Sequence, residues 1–216
     1  MTAKETAKRY VLFIISLFFS AMGVAVTKRG ELGVSPISSV ANVISEVPGA
    51  LSLGTLLVIW NVILILGQIV ILRRDFKTVQ LLQLPLSFVF GFFTDMGMKA
   101  VSVIPAESYV SRLLCVASGT AILAFGISLA VTANVVMNSG EAFVKAISDK
   151  TGKNFGNLKV GFDIFCVTLS VVLSLLLFGG KIVGTREGTL IAAVFTGLLV
   201  KVFVKGTNRL ERFLKA

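Results

Sequence analysis

The feature that most constrains this chain is a series of six apolar runs, each close to the length of a membrane-spanning helix. They lie near residues 9–28, 53–72, 79–103, 110–133, 157–178 and 187–204. A helix needs about 20 mostly apolar residues to cross the hydrocarbon core of a bilayer. Only 15% of the residues are charged, whereas an ordinary soluble domain carries about 25%. The sequence therefore predicts an all-α polytopic membrane protein that has the lipid bilayer as its solvent.

The basic residues between these runs predict how the helices are oriented. With the amino terminus in the cytoplasm, the cytoplasmic segments hold 14 Lys and Arg residues and the outer segments hold 6. Lys201 is left aside because it lies within the last run. Cytoplasmic loops of membrane proteins carry an excess of Lys and Arg. The pattern therefore predicts that both termini face the cytoplasm.

The net charge of +10 and the missing residue types argue against several classes of protein. The basic residues lie between apolar runs and form no basic face of a soluble fold, so we expect no nucleic-acid binding. The chain has no His, and Cys115 and Cys166 lie inside apolar runs, so no metal site or disulfide framework is predicted. It contains no phosphate-binding loop, dinucleotide fingerprint or nucleophile–His pair. We expect no enzymatic activity and no cofactor.

The two halves of the sequence, 1–104 and 105–216, repeat the same order of elements. Each half reads as a long helix, a short polar helix and two further long helices. A shift of about 103 residues, with one gap, aligns Gly23 with Gly126, Ile44-Ser45 with Ile147-Ser148, and Trp60-Asn61 with Phe162-Asp163. Because each half has three spans, a direct repeat must insert in opposite orientations. The sequence predicts one membrane domain built as an inverted repeat, a plan that recurs in transporters.

Two short stretches, 35–47 and 138–150, begin with residues that favour the start of a helix. Ser35 suits the N-cap position and Pro36 the first helical position, and Ser139 begins the second stretch comparably. A helix start presents free N–H groups and a partial positive charge. Two interpretations remain open. The stretches are either half-helices that enter the membrane and grip a polar solute, or amphipathic helices that lie at the two interfaces.

Three pairs of opposite charges, each four residues apart, lie in or beside the predicted helices. They are Asp95 with Lys99, Glu141 with Lys145, and Lys159 with Asp163. This spacing places both partners on one helix face. Ionisable residues inside a membrane usually mark a solute path or a proton relay. The alternative is that the lysines extend to the headgroups and neutralise nothing. We expect Asp163 to matter most and Glu141 next, because a short carboxylate side chain cannot reach far.

The candidate residues for binding a solute or ion follow from these patterns. They are Ser35, Pro36, Ser38, Asn61, Gln83, Asp95, Ser139, Gly140, Glu141, Lys145, Lys159 and Asp163. Asn61 is included because it aligns with Asp163, and Gln83 because it is polar within the third run. The leading hypothesis is a secondary transporter or facilitator of a small polar or charged solute, with Asp163 coupling to protons or cations.

Two other functions remain open from the sequence. One is a non-transporting membrane component, such as a solute-binding subunit or a regulator that acts through a partner membrane protein. The other is an ion channel, which needs a continuous water-filled path and is expected to form homo-oligomers. Glycines such as Gly91 and Gly97 permit close helix packing but do not establish an oligomer.

Several of these motifs resemble the bacterial YczE-like membrane proteins, a group related to the YitT-type proteins. The resemblance covers nearly the whole chain and is carried by Leu32-Gly33-Val34-Ser35-Pro36, Leu82-Gln83-Leu84-Pro85, Gly140-Glu141, Phe155-Gly156 and Arg186-Glu187-Gly188-Thr189. The segment Lys28-Arg29-Gly30-Glu31 is more charged than we expect for the group. The resemblance implies a six-helix protein of the bacterial inner membrane and implies no particular substrate.

Overall fold

Helices account for all the regular secondary structure of residues 3–215, the part of the chain that a computed structural model describes. Side chains at positions 208, 212, 213 and 215 lie outside this description. Within this part, the α-helices are α1 Ala3–Arg29, α2 Pro36–Ser45, α3 Leu53–Leu72, α4 Gln83–Val101, α5 Tyr109–Ala133, α6 Ser139–Thr151, α7 Phe155–Leu177 and α8 Glu187–Lys215. Six of them are long and apolar enough to cross a bilayer. The all-α polytopic class is confirmed.

The predicted boundaries differ from the observed ones chiefly at three places. Because residues 78–82 form a 3-10 turn, α4 begins at Gln83 and not near 79. The terminal helices α1 and α8 extend beyond their apolar runs, since a helix continues wherever its backbone hydrogen bonds are satisfied. Arg212 and Lys215, which contribute to the predicted cytoplasmic charge, lie among the side chains outside the description.

Local sequence signals set several helix ends. The side chains of Ser52, Ser108 and Asn154 each accept a hydrogen bond from the backbone N–H three residues later, which caps the starts of α3, α5 and α7. At the other ends, Asn134 after α5 and Gly152 after α6 adopt the left-handed conformation that commonly terminates a helix. These residues produce the breaks on both sides of the short helix α6.

Helices α1 and α5 form the centre of the bundle and run antiparallel. A Cβ atom at Gly23 would lie 2.4 Å from the backbone N of Leu123, and one at Gly126 would lie 2.5 Å from the backbone N of Ser20. Small residues let membrane helices approach this closely. The two contacts are reciprocal, because Gly23 and Gly126, like Ser20 and Leu123, are 103 positions apart.

Arginine side chains join the ends of the same two helices. Arg9, near the start of α1, is buried and donates to the carbonyl of Ala133 at the end of α5 over 3.0 Å. Arg112, near the start of α5, pairs with Glu31 just beyond α1 at 3.0 Å. A cation is favourable at a helix C-terminus because of the partial negative charge there. Arg9 and Arg112 are also 103 positions apart.

The remaining helices surround this centre. Helix α4 packs against α1 and α8 against α5, while α2 packs against α7 and α6 against α3. Each short helix therefore lies on a long helix of the other half. Ser39 of α2 approaches the carbonyl of Cys166, near the middle of α7, at 3.5 Å. On the other side, Gly67 of α3 faces the ring of Phe143 of α6. Both short helices are thus enclosed by long helices over much of their length.

Candidate solute-binding site

A cavity of about 590 Å³ lies inside the bundle, and long helices from both halves line it. Much of its wall is apolar, with Leu17 from α1, Leu57 from α3, Phe90 from α4 and Leu123 from α5. Polar and charged side chains form the smaller part of the wall. Ligand-binding pockets generally combine an apolar wall with a small number of placed polar groups. The cavity therefore has the size and character of a small-molecule site.

Both short helices begin at the wall of this cavity. Ser35 and Pro36 start α2 there, and Ser139 and Gly140 start α6. A Cβ atom at Gly140 would lie 2.6 Å from the Cδ1 of Ile37, so the two helix starts touch each other. The absence of a side chain at position 140 permits this approach. Two sets of helix-start N–H groups, each with a partial positive charge, are thereby brought to one place.

The first turns of the two short helices carry different charge. The first turn of α2 has no acidic residue, whereas that of α6 contains Glu141. Ser38 of α2 is the counterpart of Glu141 of α6 in the alignment of the two halves, because the two are 103 positions apart. Both residues line the cavity. A carboxylate in the first turn of a helix interacts favourably with the free N–H groups. The positive end of α6 is thus offset by its own residue whenever Glu141 is ionised, and that of α2 has no such residue.

A charged cluster forms where α6 meets α7. The predicted ion pair between Lys159 and Asp163 is present, with the two side chains 25% and 21% exposed, and both line the cavity. Glu141 faces this pair from α6. Burial raises the pKa of the Glu141 carboxyl above its usual value, and the charge of Asp163 acts in the same direction while Lys159 opposes it. Two carboxyl groups therefore share one ammonium group at the cavity wall.

The raised pKa of Glu141 leads to a prediction for stability against pH. The folded state favours the protonated carboxyl, so this stabilisation is fully present below the usual pKa of 4.5 and is lost as the pH rises through the raised value. We expect the melting temperature of the wild type, relative to Glu141→Gln, to decrease as the pH rises across this range. Lys159 and Asp163 of α7 face the group, and Lys201 of α8 lines the same cavity.

The measurement is thermal unfolding of both proteins in one detergent at a series of pH values. Asp149→Asn serves as the control because Asp149 is half-exposed and pairs with Lys145 on the outer face of α6. A constant difference between wild type and Glu141→Gln at all pH values would contradict the expected titration.

Gln83 supports the cavity wall through a pair of amide side chains. It forms two hydrogen bonds with Gln68 of α3, of 3.0 and 3.1 Å, and Gln68 also donates to the carbonyl of Ser139 over 3.2 Å. Both amides are almost fully buried. A buried amide without partners would cost roughly 1–3 kcal/mol, so this network holds the start of α6 against α3 and α4. Gln68 was not predicted, although a lone Gln in an apolar run is a usable signal.

The family of unknown function DUF6198 matches residues 7–205. The chain belongs to this family. It is 25% identical over 203 residues to the uncharacterized membrane protein YczE of Bacillus subtilis (strain 168). The alignment covers 92% of this chain and 86% of the relative. The resemblance to YczE-like proteins is confirmed. No solved structure matches the chain significantly.

Two predicted site residues of this DUF6198 protein lie away from the cavity. Asp95 accepts hydrogen bonds from Gly54 N over 2.8 Å and from Ser52 Oγ over 2.6 Å, and so caps the start of α3. Among the described residues, its predicted ion pair with Lys99 does not form. The Gly54 N–H and Ser52 O–H at the start of α3 occupy the carboxylate instead. This residue therefore joins α3 to α4 and lines no part of the interior cavity.

Lys145 is the second predicted site residue that lies away from the cavity. It pairs with Asp149 on the next turn, and both side chains are half-exposed. Its predicted partner Glu141 points instead to the cavity, where it faces the pair on α7. Glu141 and Asp149 each lie four residues from Lys145, so the spacing alone allows either pair. The packing of α6 turns Glu141 to the cavity and leaves Asp149 as the partner. Asn61, the aligned counterpart of Asp163, lines the cavity.

The cavity wall of this family member also includes residues that were not predicted. Among them are Trp60 of α3 and Thr196 and Lys201 of α8. Trp60 Nε1 and Thr196 Oγ1 are buried without a hydrogen-bond partner among the described residues. Buried polar atoms without partners are uncommon and call for an explanation such as a functional site. Lys201 lies inside an apolar run, which was itself a signal that it faces the interior.

Proposed function

We propose that this protein is a secondary transporter or facilitator that moves a small polar or charged solute across the bacterial inner membrane. One observation carries the proposal: the starts of α2 and α6 and the Lys159–Asp163 pair converge on a single interior cavity. Broken helices whose starts point at a solute near the midplane are a recurring plan of transporter binding sites. The proposal involves no chemical conversion of the solute, no cofactor and no metal.

The proposal includes an inverted repeat with two re-entrant short helices. The reciprocal contacts of α1 and α5 support the repeat, since Gly23 on Leu123 and Gly126 on Ser20 are related by one shift of 103 residues. The exchange of short helices supports it too, because α2 packs on α7 and α6 packs on α3. The approach of Ser39 to Cys166, halfway along α7, supports membrane depth for α2.

The charged residues have distinct roles in the proposal. Asp163 carries the coupling proton or cation, and Lys159 balances its charge when the site is empty of solute. Glu141 adds a second carboxyl that can hold a proton. The helix starts at Ser35 and Ser139 hold the polar groups of the solute, and the apolar wall accommodates its body. The charged cluster lies near the start of α7, the end that the distribution of basic residues places towards the cytoplasm.

A thermal-shift screen of the detergent-purified protein against a library of small metabolites tests the proposal. The library is grouped into anionic, cationic, zwitterionic and neutral solutes, so that a positive group identifies the charge of the solute. A ligand that binds only the folded state stabilises it by about 2.7 kcal/mol at a hundred times its dissociation constant. We expect at least one group to raise the melting temperature of the wild type, with a much smaller rise for Asp163→Asn.

The control variant is Asp75→Asn, which removes an exposed carboxylate that pairs with Lys150 outside the cavity. It should respond to the same solutes as the wild type. Solutes that pass this screen are then tested for uptake into proteoliposomes at several pH values. Uptake that does not respond to pH or to Asp163→Asn would remove the coupling role. A well-folded protein that responds to no solute would favour a component that acts through a partner protein.

A further inference from the structure

The two halves differ in how their last two long helices pack. In the first half, α3 and α4 are in close contact. A Cβ atom at Gly54 would lie 2.1 Å from the carbonyl oxygen of Gly91, and one at Gly91 would lie 2.7 Å from that of Gly54. Asp95 adds its hydrogen bonds to Gly54 N and Ser52 Oγ at the same end. The first half is therefore closed between α3 and α4.

The equivalent helices of the second half, α7 and α8, make no comparable contact along their described residues. The alignment of the halves places Gly156 at the position of Gly54 and Gly197 at the position of Gly91. A Cβ atom at Gly197 would meet no heavy atom within 4 Å, and one at Gly156 would meet only Oδ1 of Asn154, the residue that caps the same helix. Both glycines line the cavity. The gap between α7 and α8 is therefore an opening of the cavity.

The far ends of α7 and α8 are held together. Ser170 Oγ accepts a hydrogen bond from Thr185 Oγ1 at 2.9 Å, and Ser174 Oγ accepts one from Val183 N at 2.6 Å. These bonds join α7 to the segment that leads into α8. The two helices are thus fixed at one end and separated at the end that carries Gly156, which is the geometry of a hinged pair.

We propose that α7 and α8 form a gate that closes when Gly156 packs against Gly197, as Gly54 packs against Gly91 in the first half. The inference rests on the proposed transport function and specifies how the cavity is closed on one side. With the contact between α3 and α4 formed and the gate between α7 and α8 open, the cavity is accessible from one side of the membrane only. The reverse arrangement exposes it to the other side, which is the alternating access expected of an inverted repeat.

The residue at the edge of the gate explains why the second half is the open one. Lys201 occupies in α8 the position of Asp95 in α4, and Asn154 occupies that of Ser52. The carboxylate of Asp95 accepts from the free N–H of Gly54, a favourable charge at a helix start. An ammonium group cannot accept from the N–H of Gly156, and the partial positive charge there repels it. The closed form of α7 and α8 therefore lacks the bond that holds α3 and α4 together.

Paired cysteines test this gate in the full chain, in native membranes, without any solute. The native Cys115 and Cys166 are buried and are replaced by alanine. Asn154→Cys/Lys201→Cys is the gate pair. Ser52→Cys/Asp95→Cys is the matched positive control, because those side chains are 2.6 Å apart in the closed half. Asn154→Cys/Val202→Cys is the negative control, because Val202 is 62% exposed on another face of α8.

On oxidation or treatment with a short bifunctional thiol reagent, the positive control should link almost completely. We expect the gate pair to link several-fold more than the negative control, since the gate closes part of the time. Adding Gly156→Leu to the gate pair should reduce linking to the level of the negative control, because the side chain occupies the contact. Gly161→Leu is its control, because a Cβ there meets no atom within 4 Å and its counterpart Ile59 is exposed in the closed half.

Equal linking of the gate pair and the negative control, with a working positive control, would overturn the inference. So would efficient linking that Gly156→Leu leaves unchanged, because closure would then use another contact. These outcomes are separate from the thermal-shift screen. Solute binding without linking refutes the gate and retains the site, whereas linking without any solute response retains the gate and refutes the transport proposal.

Discussion

Alanine at Gly119 is expected to lower the melting temperature of the protein, whereas alanine at Gly161 is expected to raise it slightly. A Cβ atom at Gly119 would lie 2.5 Å from Thr27 N and 2.8 Å from the carbonyl oxygen of Gly23. These are backbone atoms of α1, so no side-chain rotation relieves the clash. Overpacking of this kind costs about 1–3 kcal/mol and occasionally more. The opposite sign at Gly161 follows because alanine is favoured over glycine in an open helix by up to about 1 kcal/mol.

The measurement is thermal unfolding of the two variants and the wild type in the same detergent. Gly23→Ala and Gly126→Ala extend the test, because both would place a Cβ within 2.5 Å of a backbone atom across the same pair of helices. Similar losses at these two equivalent positions would support the repeat. Melting temperatures for Gly119→Ala and Gly161→Ala that agree within error would show that α1 and α5 are not in tight contact.

The second large effect concerns the ion pair at the cavity. Lys159→Met is expected to reduce the free energy of unfolding by roughly 1–3 kcal/mol, because it leaves Asp163 and Glu141 close together without a cation. The loss is smaller than for a fully buried pair, since about a quarter of the side chain of Lys159 is exposed. In the double variant Lys159→Met/Asp163→Leu the unpaired charge on α7 is removed as well, so most of the stability should return.

Transport should not return with stability in this double variant. Asp163 is the proposed coupling group, so a stable protein without it would bind or move the solute poorly. Unfolding curves and uptake into proteoliposomes, measured on the same preparations, separate the structural role of the pair from its role in function. Lys145→Met is the control, because its half-exposed pair with Asp149 is worth only about 0–1 kcal/mol. Full uptake by the double variant would refute the coupling role.

Local signals account for much of what the sequence predicted correctly. The run 53–72 coincides with α3 because an apolar stretch of this length has a cap at Ser52 and charged residues after it. The short helix α2 begins where Ser35 and Pro36 predict, since both residues favour a helix start in any context. The Lys159–Asp163 pair forms because its four-residue spacing places both side chains on one face of the same helix.

The predictions that needed correction depended on groups distant in the chain. Asp95 also lies four residues from its predicted partner, Lys99. Its carboxylate instead accepts hydrogen bonds from Ser52 Oγ and Gly54 N, over 40 positions earlier. Lys145 had two possible partners on its own helix, and the docking of α6 turned Glu141 towards α7. Gln68 gained its role only because α4 and the start of α6 meet beside it.

The sequence by itself thus determined that the protein lies in a membrane, how many helices it has and in what order, and where the short helices begin. These follow from hydropathy and from capping, which act over a few neighbouring residues. The tertiary structure alone decided that the starts of α2 and α6 meet at one cavity with Asn61, Glu141 and Asp163, and that α3 and α4 touch while α7 and α8 stand apart. Such contacts join residues from about 40 to about 100 positions apart, and no local pattern specifies which of several compatible partners a side chain will meet.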